Sequence, residues 1–415
     1  MKTPRNRHNH WVVRLTLLGA LASSLGVAAT QFPAARVTLA QSGPEPVVLP
    51  FENYRRWMVV RASVAGSEPL RFILDSGAPV VVLTSRELGE RLPLQIVGQA
   101  SIGGAGDGAD EQVALAVGVT VEMDGVRIDD ATMAVGAAAN AIPGMDGILG
   151  GSLFGNLVVE IDWAGSRLLL HDPDTFVYAG DGVELPLDML PSGHFVVQAN
   201  VQQGGADYPA RLLVDTGAGH ALSVEPSAVP PGAALTDLII GWGSNGVARG
   251  DIGRVDALQL GTVSIADVIT SFPAGRPWAR IGAAQDEILH GNVGQQVLQR
   301  FRVIFDAPGG RLILEPGPDL HAPFAFDTTG LALAPWSPGT ESLEIAEVIP
   351  GSPAEEAGVR IGDRLLAIDG REVSQLDPTA VEELLWGPPG GEVELAIGRG
   401  SARSQHRLTR RKLLR

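Results

Sequence analysis

The stretch FILDSGAPVVVL, residues 72–83, decides the reading of this chain, because it returns as RLLVDTGAGHAL at 211–222. Each copy is an apolar run ending in Asp, then Ser or Thr, Gly and Ala, with further apolar residues behind it. Asp215 lies 140 residues after Asp75. Downstream, GILGGSLFGNLVVEIDWAGSRLLL at 147–170 aligns without a gap to GNVGQQVLQRFRVIFDAPGGRLIL at 291–314, an offset of 144. Asp162 then matches Asp306, Gly165 matches Gly309, and Arg167-Leu168 matches Arg311-Leu312. Upstream, Val48-Leu49-Pro50 rhymes with Glu184-Leu185-Pro186. Repetition on this scale predicts two similar units, 45–177 and 178–318.

Both units read as strand-rich. Met58-Val59-Val60 and Phe195-Val196-Val197 are short strands ahead of each Asp. Gly103-Gly104-Ala105-Gly106 and Gly241-Trp242-Gly243 mark hairpin tips, and Trp242 reads equally as a contact at such a tip or as a packed indole. Only Leu153 to Leu157 and Val297 to Phe301 have a helical look. Each precedes a hairpin turning at Trp163-Ala164-Gly165 or Ala307-Pro308-Gly309-Gly310. Asp162 and Asp306 stand just before those turns, where a carboxylate caps backbone amides.

Beyond Pro318 the pattern changes. IAEVIPGSPAEEAGVRIGDRLLAIDGREV, 345–373, contains a strand, a Pro-Gly turn, a short helix capped at Ser352-Pro353-Ala354, then Gly362-Asp363 and another strand. Residues 379–386 form an amphipathic helix, Val393 to Ile397 a last strand, and the basic tail from Arg403 to Arg415 reads as a solvated end. At the other terminus Lys2, Arg5 and Arg7 precede an uncharged apolar run, Leu15 to Ala29, with small-residue sites at Val27-Ala28-Ala29 and Thr38-Leu39-Ala40. Residues 1–40 read as a secretory signal, with an uncleaved membrane anchor as the alternative.

Composition narrows the function. The 415 residues are 45% hydrophobic and only 19% charged, with 52 Gly and 29 Pro, as expected of a packed, turn-rich β protein. The absence of Cys removes disulfides, thiolate metal sites and cysteine nucleophiles. A net charge of −16 argues against nucleic acid as a partner. The histidines show no His-Glu-x-x-His spacing, no Gly-x-Ser-x-Gly elbow is present, and Gly103 to Gly108 lacks the Lys-Ser/Thr of a phosphate loop. His220, five residues after Asp215, reads as an ordinary loop histidine, with a place in the cleft as the alternative.

One Asp-Ser/Thr-Gly tripeptide carries little weight; two, both after an apolar strand, carry much more. Two carboxyl groups brought together share one proton, because both cannot ionise at low cost. The ionised member can take a proton from water while the protonated one hydrogen-bonds the carbonyl under attack. Gly77 and Gly217 let the backbone approach closely. Ser76 and Thr216 offer hydroxyls to lock the two loops together.

On these motifs the chain resembles the retropepsin-like aspartic peptidases, in a bacterial two-lobed form with a C-terminal PDZ domain. Asp75-Ser76-Gly77-Ala78 and Asp215-Thr216-Gly217-Ala218 match the catalytic loops, and Ile148-Leu149-Gly150 matches the hydrophobic pair and Gly that thread each loop. The second lobe departs from that element with Gly291-Asn292-Val293-Gly294. The resemblance implies a mainly β fold: two closed barrel-like lobes in a pseudo-twofold pair, then an α+β PDZ domain at 322–414. It implies that Asp75 and Asp215 form a catalytic dyad and that Gly103, Gly104, Gly241 and Trp242 belong to flaps. Gly351-Ser352-Pro353-Ala354, Ala357-Gly358, Gly362-Asp363 and Ala367-Ile368-Asp369-Gly370 carry the PDZ resemblance. It implies a peptide added as a strand, with Gly330-Leu331-Ala332-Leu333 as candidate carboxylate loop.

The function expected is an exported aspartic endopeptidase, periplasmic or secreted. It would act on proteins or peptides, including C-terminal peptides at the PDZ domain, without metal or cofactor, and would meet the membrane only through an uncleaved signal. A non-catalytic peptide-binding protein with a retained fold is the rival, and pairing of lobes between two chains a further possibility. Pepsin-like enzymes often carry a hydroxyl after Asp-Thr-Gly. Ala78 and Ala218 supply none, which predicts raised dyad pKa values and weakly acidic to near-neutral activity.

Overall fold

The computed structural model describes residues 12–17, 35–41, 43–104, 111–137, 143–243, 246–275 and 288–414, with backbone alone at 12–17 and 101–104. The tips Ala105-Gly106 and the turn at 244–245 lie outside the described residues.

In the first lobe the strand Leu70–Leu74 runs into the Asp75 loop and the chain returns as Val81–Leu83. Gly147–Leu149 threads between them, parallel to Leu70–Leu74 (Ile148 beside Ile73) and antiparallel to Val81–Leu83 (Ile148 beside Val82). The second lobe repeats this device: Gly291–Val293 is parallel to Ala206–Val214 and antiparallel to Leu222–Val224. The departure at Asn292 therefore leaves the threading intact. Cross-pairings close each lobe, Trp57–Val64 against Glu111–Met123 and Phe195–Gln203 against Gly246–Leu260. A closed barrel leaves few exposed edges and buries one apolar face of every strand. Val60, Phe72, Leu74 and Leu83 fill that interior in one lobe and Val197, Leu212, Val214 and Phe272 in the other, all almost fully buried.

Between the lobes the repeat becomes a shared sheet. Val158–Asp162 pairs antiparallel with Phe301–Asp306, Val159 opposite Phe305. Outward on each side lie Arg167–His171 with Val47–Pro50, and Arg311–Pro316 with Val183–Met189. Leu49 sits opposite Leu168 as Leu185 sits opposite Leu312, so the matched opening segments become matched outer strands. Phe154, Phe195 and Phe305 meet beneath, with ring centroids 4.8 to 6.2 Å apart, and join both lobes into one apolar core.

Asp162 and Asp306 do cap their turns. Each accepts the amide three residues on, Gly165 or Gly309, at 2.9 Å, and each takes the Nε–H of Arg167 or Arg311.

The PDZ unit has its own core and a sheet in which Leu331–Leu333 forms one edge and Ala402–Thr409 the other. Ser352 caps the helix Pro353–Glu356, and Asp377 caps Pro378–Leu385.

Four details differ from the expectations. The helical turns sit at Gly151–Phe154 and Gln295–Leu298, a little earlier than read, because the glycine threading turns start them. A helix at Arg86–Arg91, capped by Ser85, was not anticipated; its short polar sequence carries no apolar period. The basic tail is no loose end: Ala402–Thr409 pairs with Glu392–Arg399, and the buried Arg410 donates to the Leu385 and Glu392 carbonyls. Arg36–Leu39, inside the stretch read as signal, pairs with Val126–Asp129 of the first lobe. No helix among the described residues is long and apolar enough to cross a membrane.

Candidate active site

The two Asp-Ser/Thr-Gly loops meet at the lobe interface, each at the end of a strand whose last three residues are fully buried. Their hydroxyl residues interlock. The Ser76 amide donates to Thr216 Oγ1 at 2.9 Å, and the Thr216 amide donates to Ser76 Oγ at 3.0 Å. Ser76 Oγ donates across to the Val214 carbonyl at 2.7 Å, and Thr216 Oγ1 to Leu74 at 3.1 Å. Each hydroxyl thus accepts one bond and gives one, so the crossing satisfies its buried groups within the protein. Gly77 and Gly217 are required by proximity. A Cβ on Gly217 would lie 2.2 Å from Asp75 Cγ, and one on Gly77 would lie 2.9 Å from Asp215 Cγ.

This contact places the two carboxyl groups face to face, both fully buried. Asp75 accepts the Gly77 amide on Oδ1 at 2.7 Å, while its Oδ2 has no hydrogen-bond partner among the described residues. Asp215 is better supplied. Gly217 and Ala218 amides reach its Oδ1 at 3.0 and 2.9 Å, and Asn292 Nδ2 donates to its Oδ2 at 2.8 Å. Burial and then the charge of Asp215 hold the Asp75 carboxyl well above the usual range. Asp215 is raised as well, by burial, but His220, Asn292, Asp75 and the Gly217 amide pull against that rise. One proton on Asp75 and a charge on Asp215 is the state these donors favour.

Asn292 is the residue that sequence reasoning met only as a departure. It supplies to Asp215 a side-chain donor of the kind that Ala78 and Ala218 lack, while Asp75 keeps the Gly77 amide as its donor. Its own carbonyl Oδ1 lies 2.8 Å from His220 Nε2, which removes His220 from the ordinary loop histidines. The signal was available: a polar side chain in a strand otherwise apolar on both faces.

Each lobe also reaches the opposite loop with a ring. Trp57 Nε1 donates to the Gly217 carbonyl at 2.8 Å. His194, at the matching place ahead of Phe195, is buried against the Gly77 backbone, and its burial brings its pKa down to about 4.

Gln95–Gly104 with Glu111–Met123 and Leu235–Gly243 with Gly246–Leu260 pair as two antiparallel ribbons, one in each lobe. Gly103 and Gly104 end the first strand of one, and Gly241 and the half-buried Trp242 lie near the end of the first strand of the other. In the PDZ unit, Gly330, Leu331, Ala332 and Leu333 fall on and before the edge strand. The Gly330 and Leu331 amides are already taken by Asp327 Oδ2, at 2.6 and 2.8 Å. The PDZ unit touches both lobes. Arg55 stacks 4.4 Å above Trp336, Arg56 pairs with Glu382 at 3.1 Å, and Glu347 accepts the Ile239 amide at 2.7 Å and Arg249 at 2.9 Å.

Fold and site together define a two-lobed β protein of aspartyl-protease type that carries a PDZ domain. Residues 60–153 match the family model for aspartyl proteases and residues 344–399 that for PDZ domains, so the chain joins a retropepsin-like region to a C-terminal PDZ domain. A carboxyl-terminal-processing protease of Synechocystis is 41% identical over 61 residues, 15% of this chain and 14% of that protein. A chloroplastic C-terminal processing peptidase of Tetradesmus obliquus is 32% identical over 123 residues, 28% and 26% of the two. The chain thus spans about a quarter or less of the length of these curated relatives. Among solved structures, an aspartic proteinase from Irpex lacteus covers 66% of this chain and 98% of its own, at 14% identity and a TM-score of 0.44. The PDZ domain of a Vibrio cholerae carboxy-terminal protease, solved with a peptide, covers 21% and 96% at 21% identity and a TM-score of 0.19.

Proposed function

We propose that this chain is an exported aspartic endopeptidase that hydrolyses peptide bonds at Asp75 and Asp215 and gathers protein substrates with its PDZ domain. The observation that carries this reading is the buried pair of carboxyl groups, held on loops that Ser76 and Thr216 lock together where the two lobes meet. The charged member takes a proton from water as the water oxygen bonds to the scissile carbonyl carbon, and the other member gives its proton to the carbonyl oxygen. Collapse of that intermediate returns a proton to one carboxylate and sends the other to the departing amine, restoring the singly protonated pair. Neither metal nor cofactor enters the scheme.

The strand Leu331–Leu333, at the end of the sheet order, supports strand addition by a substrate segment. Two relatives named for carboxyl-terminal processing support chain ends as the segment recognised. Export rests on the basic and apolar start of the chain. Because Arg36–Leu39 belongs to the lobe sheet, Val27-Ala28-Ala29 is the better cleavage site, which N-terminal sequencing of the exported chain reads directly.

The test is replacement of each acid. Asp75→Asn and Asp215→Asn should each lower kcat/KM on a random peptide library by about 10³-fold or more, with the fold intact by circular dichroism. A mixture of the two variants should stay inactive, since both acids belong to one chain. Activity regained on mixing, or undiminished in either variant, overturns the reading.

A further inference from the structure

Among the breaks in the pseudo-twofold symmetry of the site, two fall beside the side chain of Asp215. In the threading strand of the first lobe the residue matching Asn292 is Ile148, fully buried in apolar surroundings. In the loop of the first lobe the residue matching His220 is Val80, packed against that same apolar cluster. In the second lobe these places hold a connected polar chain: His220 Nε2 to Asn292 Oδ1 at 2.8 Å, and Asn292 Nδ2 to Asp215 Oδ2 at 2.8 Å. An amide in a buried strand costs stability unless both its ends are bonded, and here both are.

We infer that Asn292, oriented by His220, is a positioning residue that assigns the two carboxyl groups their roles: Asp215 carries the charge and activates water, and Asp75 holds the proton. This rests on the peptidase reading given above. A Asn side chain can present either its oxygen or its NH₂ to Asp215, and only the NH₂ suits a carboxylate. The carboxylate can only accept, so Asn292 gives its NH₂ to Asp215 and its Oδ1 faces His220; the imidazole tautomer with its proton on Nε2 is the one that holds the amide in this orientation. The titratable groups facing Asp215 are Asp75 across the pair and His220 on its own loop; Asp75 faces Asp215. Three donors therefore converge on Asp215 against one aligned donor on Asp75.

The test reads each acid alone. In ¹³C-carboxyl-labelled protein, Asp75→Asn leaves Asp215 and Asp215→Asn leaves Asp75, which removes the coupling that blurs a shared titration. Asp215 should titrate at the lower pH. Adding Asn292→Leu to the Asp75→Asn protein should raise that titration by about one pH unit, the effect of a lost charge-assisted hydrogen bond. The same change beside Asp215→Asn should leave Asp75 within a few tenths. In the otherwise unaltered chain, Asn292→Leu should move the acidic limb of kcat/KM upward by a similar amount. His220→Gln, which keeps a donor toward Asn292, should hold the limb in place, while His220→Leu should move it. That His220 pair carries the test if Asn292→Leu does not fold. Asp75 titrating below Asp215, or no movement of Asp215 with Leu at 292, overturns the assignment. Since the titrations need no substrate, an inactive protein with the expected order would overturn the peptidase reading alone.

Discussion

At the scale of single residues, the buried acids make folding stability depend on pH. Asp75 is held protonated by burial and by its neighbour's charge, so its folded pKa stands above the unfolded one. A group raised in this way contributes its full stability below the unfolded pKa and loses it as pH climbs toward the folded value. Asp75→Asn should therefore raise Tm at pH 7 and leave it nearly unchanged near pH 3. Thermal unfolding of the two proteins across that range checks the sign. A variant less stable than the parent at pH 7 would mean that the charged form of Asp75 is the favoured one. His194 has the opposite bias in charge: it folds as the neutral ring and opposes folding once pH falls well below the unfolded value of a histidine.

At the scale of elements, the second hairpin is tied through both of its strands, at the paired residues Ile239 and Arg249, to one carboxylate outside its lobe. Its strand Leu235–Gly243 sends the Ile239 amide to Glu347, and the partner strand sends Arg249 to the same carboxylate. Glu347 stands on Leu343–Val348 and is almost fully buried. Removing a buried acceptor of a charged and a backbone donor loosens whatever it held by about 1–3 kcal/mol. Glu347→Ala should raise amide exchange over 235–243 by about tenfold while the hairpin Gln95–Gly104 keeps its protection. Equal exchange in parent and variant would show that packing, and not this carboxylate, holds the hairpin. On the other side Arg55 and Arg56, both at positive φ, reach Trp336, and Glu382 of the helix Pro378–Leu385 with Trp386 at its C-terminal cap. The neighbouring Trp57 touches the Asp215 loop, so one turn links the PDZ unit to that loop.

At the scale of the molecule, the segment joining the two parts belongs to the second lobe. Arg300 donates to the Asp319, Leu320 and Ala322 carbonyls and stacks 3.7 Å from the Phe324 ring. Excision at Pro318 would cut through this packing; the PDZ domain is better removed after Phe326. A chain ending there should cleave short peptides with kcat within a few-fold of the parent. Protein substrates with an accessible matching C-terminus should be cleaved at least tenfold more slowly at low concentration, since recruitment acts through effective concentration. Comparable losses on both substrate types would make the PDZ domain a structural support for the Glu347 contact.

The duplicated DSGA and DTGA loops, their threading segments and the PDZ string were legible in the chain itself, because the chemistry of each is local. An Asp after an apolar strand, a Gly where no Cβ fits and a Ser capping a helix are set within a few residues. The paired opening segments at 48–50 and 184–186 likewise announced two similar units. What the sequence could not show is who meets whom across long separations. Asn292 lies 77 residues from Asp215 and looked like a flaw in a motif until the fold set it against the carboxylate. The basic tail looked solvated because a strand that alternates poorly gains its order from the neighbour it pairs with. Glu347 gave no sign of its grip on Ile239, 108 residues away. Local pattern determined the elements and the two acids; only tertiary contact decided which acid is the better supplied with donors. The physical reason is that hydrogen bonds and desolvation depend on distance in space, and a repeated sequence placed in a folded pair need not have repeated surroundings.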